Sequence, residues 1–215
     1  SKFSNTDKKV YSPHPMYATY GSLVDMKDAR NKLELNENEK IVLFFGLIRH
    51  YKGLDILIEA FADEKVRQQN IKLLVAGEFY EDKQPYLNLI AKHNLQGSVI
   101  LHDSFIANDM VRYYFCASNL VAQTYRNATN SGVTMVGYYY NKPMLVTNVG
   151  GLAEIVPHNQ CGYTVPLNTN EIAGCLVDFF KNNREKEMVE HVKHEKIKYE
   201  WSTFINSLLE LYNRC

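Results

Sequence analysis

Along this chain, short runs dominated by apolar residues alternate with segments of helical period. KIVLFFG (40–46), IKLLVAG (71–77) and PMLVTNV (143–149) are the clearest of these runs. Each is rich in residues that favour strands and too short for a helix, which suits a strand covered on both faces. Leu54, Leu57, Ile58, Phe61 and Ala62 then recur at helical spacing, so the pattern predicts an amphipathic helix over 54–65. Further strands are predicted at 98–102, 119–123 and 162–166, and helices at 85–95, 108–116, 131–140 and 170–182. A last helical stretch, with a break, covers 184–213. Strands alternating with helices imply an α/β fold, a doubly wound parallel six-stranded sheet with C-terminal helices. Its ligand belongs beyond the carboxyl ends of the strands, near the point where strand order reverses.

The 215 residues make one large domain or two small ones, and 46% apolar content supplies a sizeable core. With 24 Lys and Arg against 24 Asp and Glu, there is no basic surplus for a nucleic-acid partner, although a local basic pocket fits the count. No apolar run reaches the roughly 18 residues of a membrane span. The opening SKFSNTDKKV has no apolar stretch of the signal-peptide kind. Cys116, Cys161, Cys175 and Cys215 are scattered without a C-x-x-C, so neither a zinc site nor a disulfide framework is expected, and a cytoplasmic location fits. Asn127-Ala-Thr129 spells a glycosylation acceptor, which in a cytoplasmic protein is a chance match. Residues 1–36 carry no sustained apolar period and include Pro13 and Pro15, so they read as an extended linker or incomplete element. Alternating charges along 181–200 read as a solvated helix face, and Trp201, Phe204, Ile205, Leu208 and Tyr212 as one apolar stripe.

Three strand ends carry chemistry. The first runs into Gly46-Leu-Ile-Arg49-His-Tyr-Lys52-Gly53, which matches neither the dinucleotide glycine fingerprint nor the nucleotide-hydrolase phosphate loop. Instead two cations sit three residues apart between glycines. Such a pair suits a diphosphate, Arg49 gripping oxygens bidentately and Lys52 acting as a point charge, and it equally fits a solvated loop with two surface cations. The second stretch is Tyr125-Arg-Asn-Ala-Thr129-Asn130-Ser131-Gly132-Val133. A helix starting near Ser131 aims free N–H groups and a positive dipole end at the strand edge, and Gly132 lets a ligand approach; an ordinary capped helix has the same residues. The third, Asn148-Val-Gly150-Gly151-Leu-Ala-Glu154, places paired glycines at another strand exit, with Glu154 either a ligand contact or a first-turn helix carboxylate. His50, His93, His102 and His158 show no mutual spacing for metal ligation.

Taken together, GLIRHYKGLDILIEAF, LLVAGE, Ser104-Phe105-Ile106, the T-x-S-G stretch and NKPMLVTNVGGLAEIV follow the order and spacing of the C-terminal, Rossmann-like domain of GT-B glycosyltransferases. They resemble in particular the large retaining family four, formerly called group 1. The resemblance covers about residues 36–213. It implies a transferase that moves a hexosyl group from a nucleotide-diphosphate sugar, UDP- or GDP-linked, to a saccharide or lipid-linked acceptor, as in polysaccharide or glycoconjugate synthesis. It also implies no cofactor and no metal. By the same resemblance Arg49 and Lys52 meet the donor diphosphate and serve catalysis, with Gly46 and Gly77 at the adjoining strand ends. Phe105 and Ile106 meet the base, and Thr129, Asn130, Ser131, Gly132 and Val133 meet the phosphates and the sugar. Acceptor binding falls to an N-terminal domain, with residues 1–35 as the connector from it and 36–215 as the nucleotide-sugar-binding domain. The last helix crosses back towards that other domain, and any peripheral membrane association would run through it. The fragment alone is then expected to be inactive.

The sequence departs from the family at one point. The family's Glu-x7-Glu positions, counted back from Lys142-Pro143, fall on Ala128 and Val136. Members with a T-x-S-G stretch there exist, so the loss does not by itself imply an inactive protein. It does motivate a second hypothesis, a non-catalytic module that binds a nucleotide-sugar or a partner protein.

Overall fold

In the computed structural model the described residues are 10, 12–16 and 19–213; Cys215 and much of the segment before Thr19 lie outside them. Six strands form one parallel sheet: β1 (Lys40–Phe45), β2 (Ile71–Ala76), β3 (Val99–His102), β4 (Leu120–Gln123), β5 (Met144–Thr147) and β6 (Gly162–Val165). Their order across the sheet is β3-β2-β1-β4-β5-β6. The order reverses between β1 and β4, where Val42 pairs with Leu120 and Leu43 with Val121.

The ten helices assigned among the described residues are α1 (Met26–Lys32), α2 (Leu54–Phe61), α3 (Glu64–Arg67), α4 (Gln84–Lys92), α5 (Asn108–Ala117), α6 (Gly132–Tyr139), α7 (Leu152–Ile155), α8 (Thr169–Lys181), α9 (Glu185–Glu195) and α10 (Trp201–Asn213). The pleat of β1 sorts them into two layers. Val42 and Phe44 face a core with Leu57 and Phe61 of α2, Ile90 of α4 and Leu176 of α8. Ile41 and Leu43 face a second core with Ala29 of α1, Phe115 of α5 and Tyr138 of α6. Both faces of the sheet are therefore dry, which explains strands without alternation in their sequence.

Two elements differ from the sequence expectation. The 54–65 helix ends at Phe61, because Asp63 leaves helical geometry and its carboxylate accepts from Lys65 N at 2.7 Å, starting α3. After β5, Glu154 falls in the first turn of the one-turn helix α7, in keeping with its helix-carboxylate reading. Within the segment read as an extended linker or incomplete element, α1 is capped by Asp25 and packs on α5. Its inward residues are Ala29 and a buried Arg30, whose guanidinium donates to Ala117 O (3.0 Å) and Asn119 Oδ1 (3.1 Å). The expected break in the last helical stretch is a 3-10 turn at Lys196–Tyr199. α10 has no buried residue, and Trp201, Ile205, Leu208 and Tyr212 stand exposed along it. No helix among the described residues is long and apolar enough to cross a membrane.

Candidate functional site

A cleft of about 710 Å³ opens at the carboxyl ends of β1 and β4, where the strand order reverses. Gly46 forms its floor at the exit of β1, with φ +95° and its N–H bonded to Ala76 O at 2.9 Å. Gly77 lies beside it with φ +144°, and a Cβ there would stand 2.3 Å from Gly46 O, so only glycine allows the two strand ends to approach this closely.

Beyond Gly46 the chain makes a 3-10 turn, His50–Lys52, that ends at Gly53 with φ +68°. This turn puts Lys52 into the cleft wall. The residue is only 8% exposed, and its ammonium lies 5.8 Å from the centre of the Tyr125 ring. That ammonium has no hydrogen bond or ion pair with the described residues. Burial, then the neighbouring Arg49 charge, pushes the Lys52 amine down from 10.5 to about 8. Arg49 itself is exposed and stacks on Tyr80, 4.8 Å from the ring centre, outside the cleft lining.

The opposite part of the lining comes from the loop after β4. Asn127, Ala128, Thr129, Asn130, Ser131, Gly132 and Val133 all border the cleft. Ser131 is the N-cap of α6, with extended backbone and no side-chain cap bond, so the first N–H groups of the helix are not taken by a cap side chain. A Cβ at Gly132 would meet nothing within 4 Å, which leaves the helix start open to a ligand. Gly150 and Gly151 support this loop from behind. A Cβ at Gly150 would lie 1.5 Å from Ala128 O, and Gly151 N donates to Thr129 O at 3.0 Å. Glu154, on α7, is exposed and does not line the cleft.

Phe105 and Ile106 border the cleft after β3, Phe105 with 74% of its surface free. Ten of the eleven expected site residues thus come together, and Arg49 stands outside the lining. The positions of the absent glutamates, Ala128 and Val136, both face the cleft as apolar wall. Residues not singled out from sequence also contribute: Tyr20 from the segment before α1, Tyr51, Tyr125, Glu78 and Asn108. Tyr20 had no signal in the sequence, whereas Tyr125 opens the stretch that runs to Val133 and is buried behind Lys52. Among the described residues no group of three or more His, Cys, Asp or Glu could hold a metal ion.

The arrangement offers one buried cation, an uncapped helix start and closely approachable backbone, a combination suited to an anionic ligand carrying phosphate. Fold and cleft together define a doubly wound α/β domain with a ligand cleft at its switch point. The chain belongs to the family described as glycosyl transferases group 1, whose profile matches residues 25–198. An uncharacterized glycosyltransferase of Methanocaldococcus jannaschii is 24% identical over 193 residues, which are 85% of this chain and 47% of that protein. Among solved structures, sucrose-phosphate synthase from Thermosynechococcus elongatus superimposes with TM-score 0.79 at 21% identity, covering 94% of this chain and 51% of that one. HepE from Anabaena in complex with UDP gives TM-score 0.76 at 20% identity, covering 92% and 55%. At such identities the likeness establishes the GT-B Rossmann-like fold. The chain spans about half the length of the curated relatives it matches.

Proposed function

We propose that this chain is the donor-binding half of a glycosyltransferase that moves a hexosyl group from a UDP- or GDP-linked sugar to a saccharide or lipid-linked acceptor. The observation that carries the reading is Lys52, a largely buried lysine lining the cleft with no counter-ion among the described residues, together with the open start of α6. A buried charge is costly unless an anion completes it, and a donor diphosphate would do so. That HepE holds UDP on the same fold supports this choice of ligand.

Breaking the anomeric C–O bond leaves negative charge on the nucleoside diphosphate. Lys52 and the N–H groups at Ser131–Val133 meet that charge as it develops, in the manner of an oxyanion hole. Arg49 adds field from the rim, and its long side chain reaches a diphosphate after leaving Tyr80. Protein cations in this role make a divalent metal unnecessary, and retention of configuration is the outcome that the family resemblance implies. An acceptor domain lies on another part of the protein, joined through the chain that precedes α1, and α10 returns towards it through its exposed apolar face. The setting is cytoplasmic polysaccharide or glycoconjugate synthesis, with any membrane contact made by that other part.

The apolar wall at Ala128 and Val136 favours a second reading, a domain that binds the nucleotide-sugar without catalysing transfer. Titration calorimetry against UDP, GDP and their sugar conjugates, at low and high salt, tests the donor site. Binding should be driven by the diphosphate and weaken clearly with salt, the sugar changing affinity modestly. A sugar conjugate bound a hundredfold tighter than its bare diphosphate, with little salt effect, would refute the phosphate-dominated site. Sugar transfer by the full-length protein decides between the two readings.

A further inference from the structure

The turn that carries Lys52 is held by residues outside the cleft. We propose that Arg126, paired with Asp55, is a positioning residue that clamps this turn and thereby sets the grip of Lys52 on a diphosphate. The inference deepens the donor-site reading and rests on it.

The Arg126 guanidinium grips the Asp55 carboxylate with both arms, Nη1 to Oδ1 at 2.9 Å and Nη2 to Oδ2 at 2.6 Å. The same Nη1 donates to His50 O at 2.8 Å, and the Arg126 backbone N–H donates to Tyr51 O at 2.7 Å. One residue thus holds the two carbonyls before Lys52 and a carboxylate three residues after it. Thr124 adds a hydroxyl bond to Gly53 O at 2.8 Å, and Glu81 accepts from His50 N at 2.8 Å. The turn ends at Gly53, which takes a left-handed backbone (φ +68°) that a glycine adopts without side-chain strain. Neither Arg126 nor Asp55 lines the cleft, so their effect on a ligand passes through the turn. Burial raises the Asp55 carboxyl, but the Arg126 hydrogen bonds and charge outweigh it and hold the group below its ordinary range. The pair is therefore ionised at neutral pH. A bidentate fork fixes direction as well as charge, which a lysine could not reproduce.

The test uses the chain with UDP and GDP as probes, in calorimetry at a temperature well below unfolding, on Arg126→Lys, Asp55→Asn, Lys52→Ala and Arg126→Lys combined with Lys52→Ala. A clamp predicts that Arg126→Lys and Asp55→Asn each weaken binding about tenfold, and that Arg126→Lys adds less than twofold once Lys52 is gone. Hydrogen exchange without ligand should quicken at the Lys52 and Gly53 amides, which bond Arg49 O and His50 O. A pair acting by its field alone predicts the opposite pattern: Arg126→Lys silent, and Asp55→Asn tightening binding because a negative charge is removed. That result, or unchanged exchange at 52–53, overturns the clamp while leaving the donor site standing. A lowered melting temperature with unchanged affinity overturns it equally. If Lys52→Ala binds both probes as well as the parent chain, the donor-site reading fails, and the proposed role in ligand grip fails with it.

Discussion

Replacing Lys52 by methionine should make the unliganded fold more stable while removing its grip on phosphate. The folded state holds the Lys52 amine at about 8 against 10.5 for a free lysine. Each pKa unit is worth 1.36 kcal/mol, so carrying the charge inside the fold costs about 3 kcal/mol at neutral pH. Between about pH 8 and 10.5 the unfolded chain binds more protons at this residue than the folded one, so stability rises with pH across that window. Below about pH 8 the cost is present in full. Methionine is unbranched and apolar, one atom shorter than lysine, and it fits the space against Tyr125. After subtracting the lost cation–π contact and some packing, Lys52→Met should gain about 1–3 kcal/mol at pH 7. Urea unfolding of both proteins at pH 7 and pH 10 measures this, the difference between them cancelling the other titrating groups. The gain should shrink at the higher pH. A variant less stable than the parent at pH 7, or a gap that does not change with pH, would refute the reasoning. In the parent chain the same titration should make diphosphate affinity fall as pH rises through about 8.

Three further outcomes follow from the cleft. Lys52→Ala should weaken calorimetric binding of a nucleoside diphosphate by about 1.5–3 kcal/mol, the range of a charge-assisted contact, whereas His50→Ala should change it little. Gly46→Ala should impair both stability and binding, because its Cβ would lie 3.0 Å from Lys52 Nζ on a backbone with φ +95°; melting curves and the same titration read the two effects. Purified alone, the 215-residue chain should transfer no sugar in a radiolabelled-donor assay, because orienting donor and acceptor supplies much of the rate.

The sheet was legible because strands dry on both faces leave runs dominated by apolar residues, and β1, β2 and β5 each carry one. α1 was not, because it contributes little more than Ala29 to the core and its other inward residue is a charge. Arg30 satisfies that charge on carbonyls and an amide more than eighty residues away, which no local pattern reveals. The cleft was legible where chemistry is local: the glycines, Lys52 and the run 129–133 announce themselves by type and spacing. Arg126 could not be assigned a role for the same reason as Arg30, since its partner Asp55 is 71 positions distant. Arg49 and Lys52 read in the sequence as a pair of cations for one diphosphate, yet the 3-10 turn buries Lys52 and leaves Arg49 on Tyr80.

Most depends on whether a nucleoside diphosphate binds between the Gly46–Gly53 loop and the start of α6. Heteronuclear NMR titration of the labelled chain with UDP, and in parallel with GDP, tests this at the level of single residues. Backbone amides at Gly46, Lys52, Gly132 and Val133 should shift most, together and saturably, and Lys52→Ala should weaken the response at all of them. Saturable shifts centred elsewhere, or a response at these amides indifferent to Lys52, would contradict that placement.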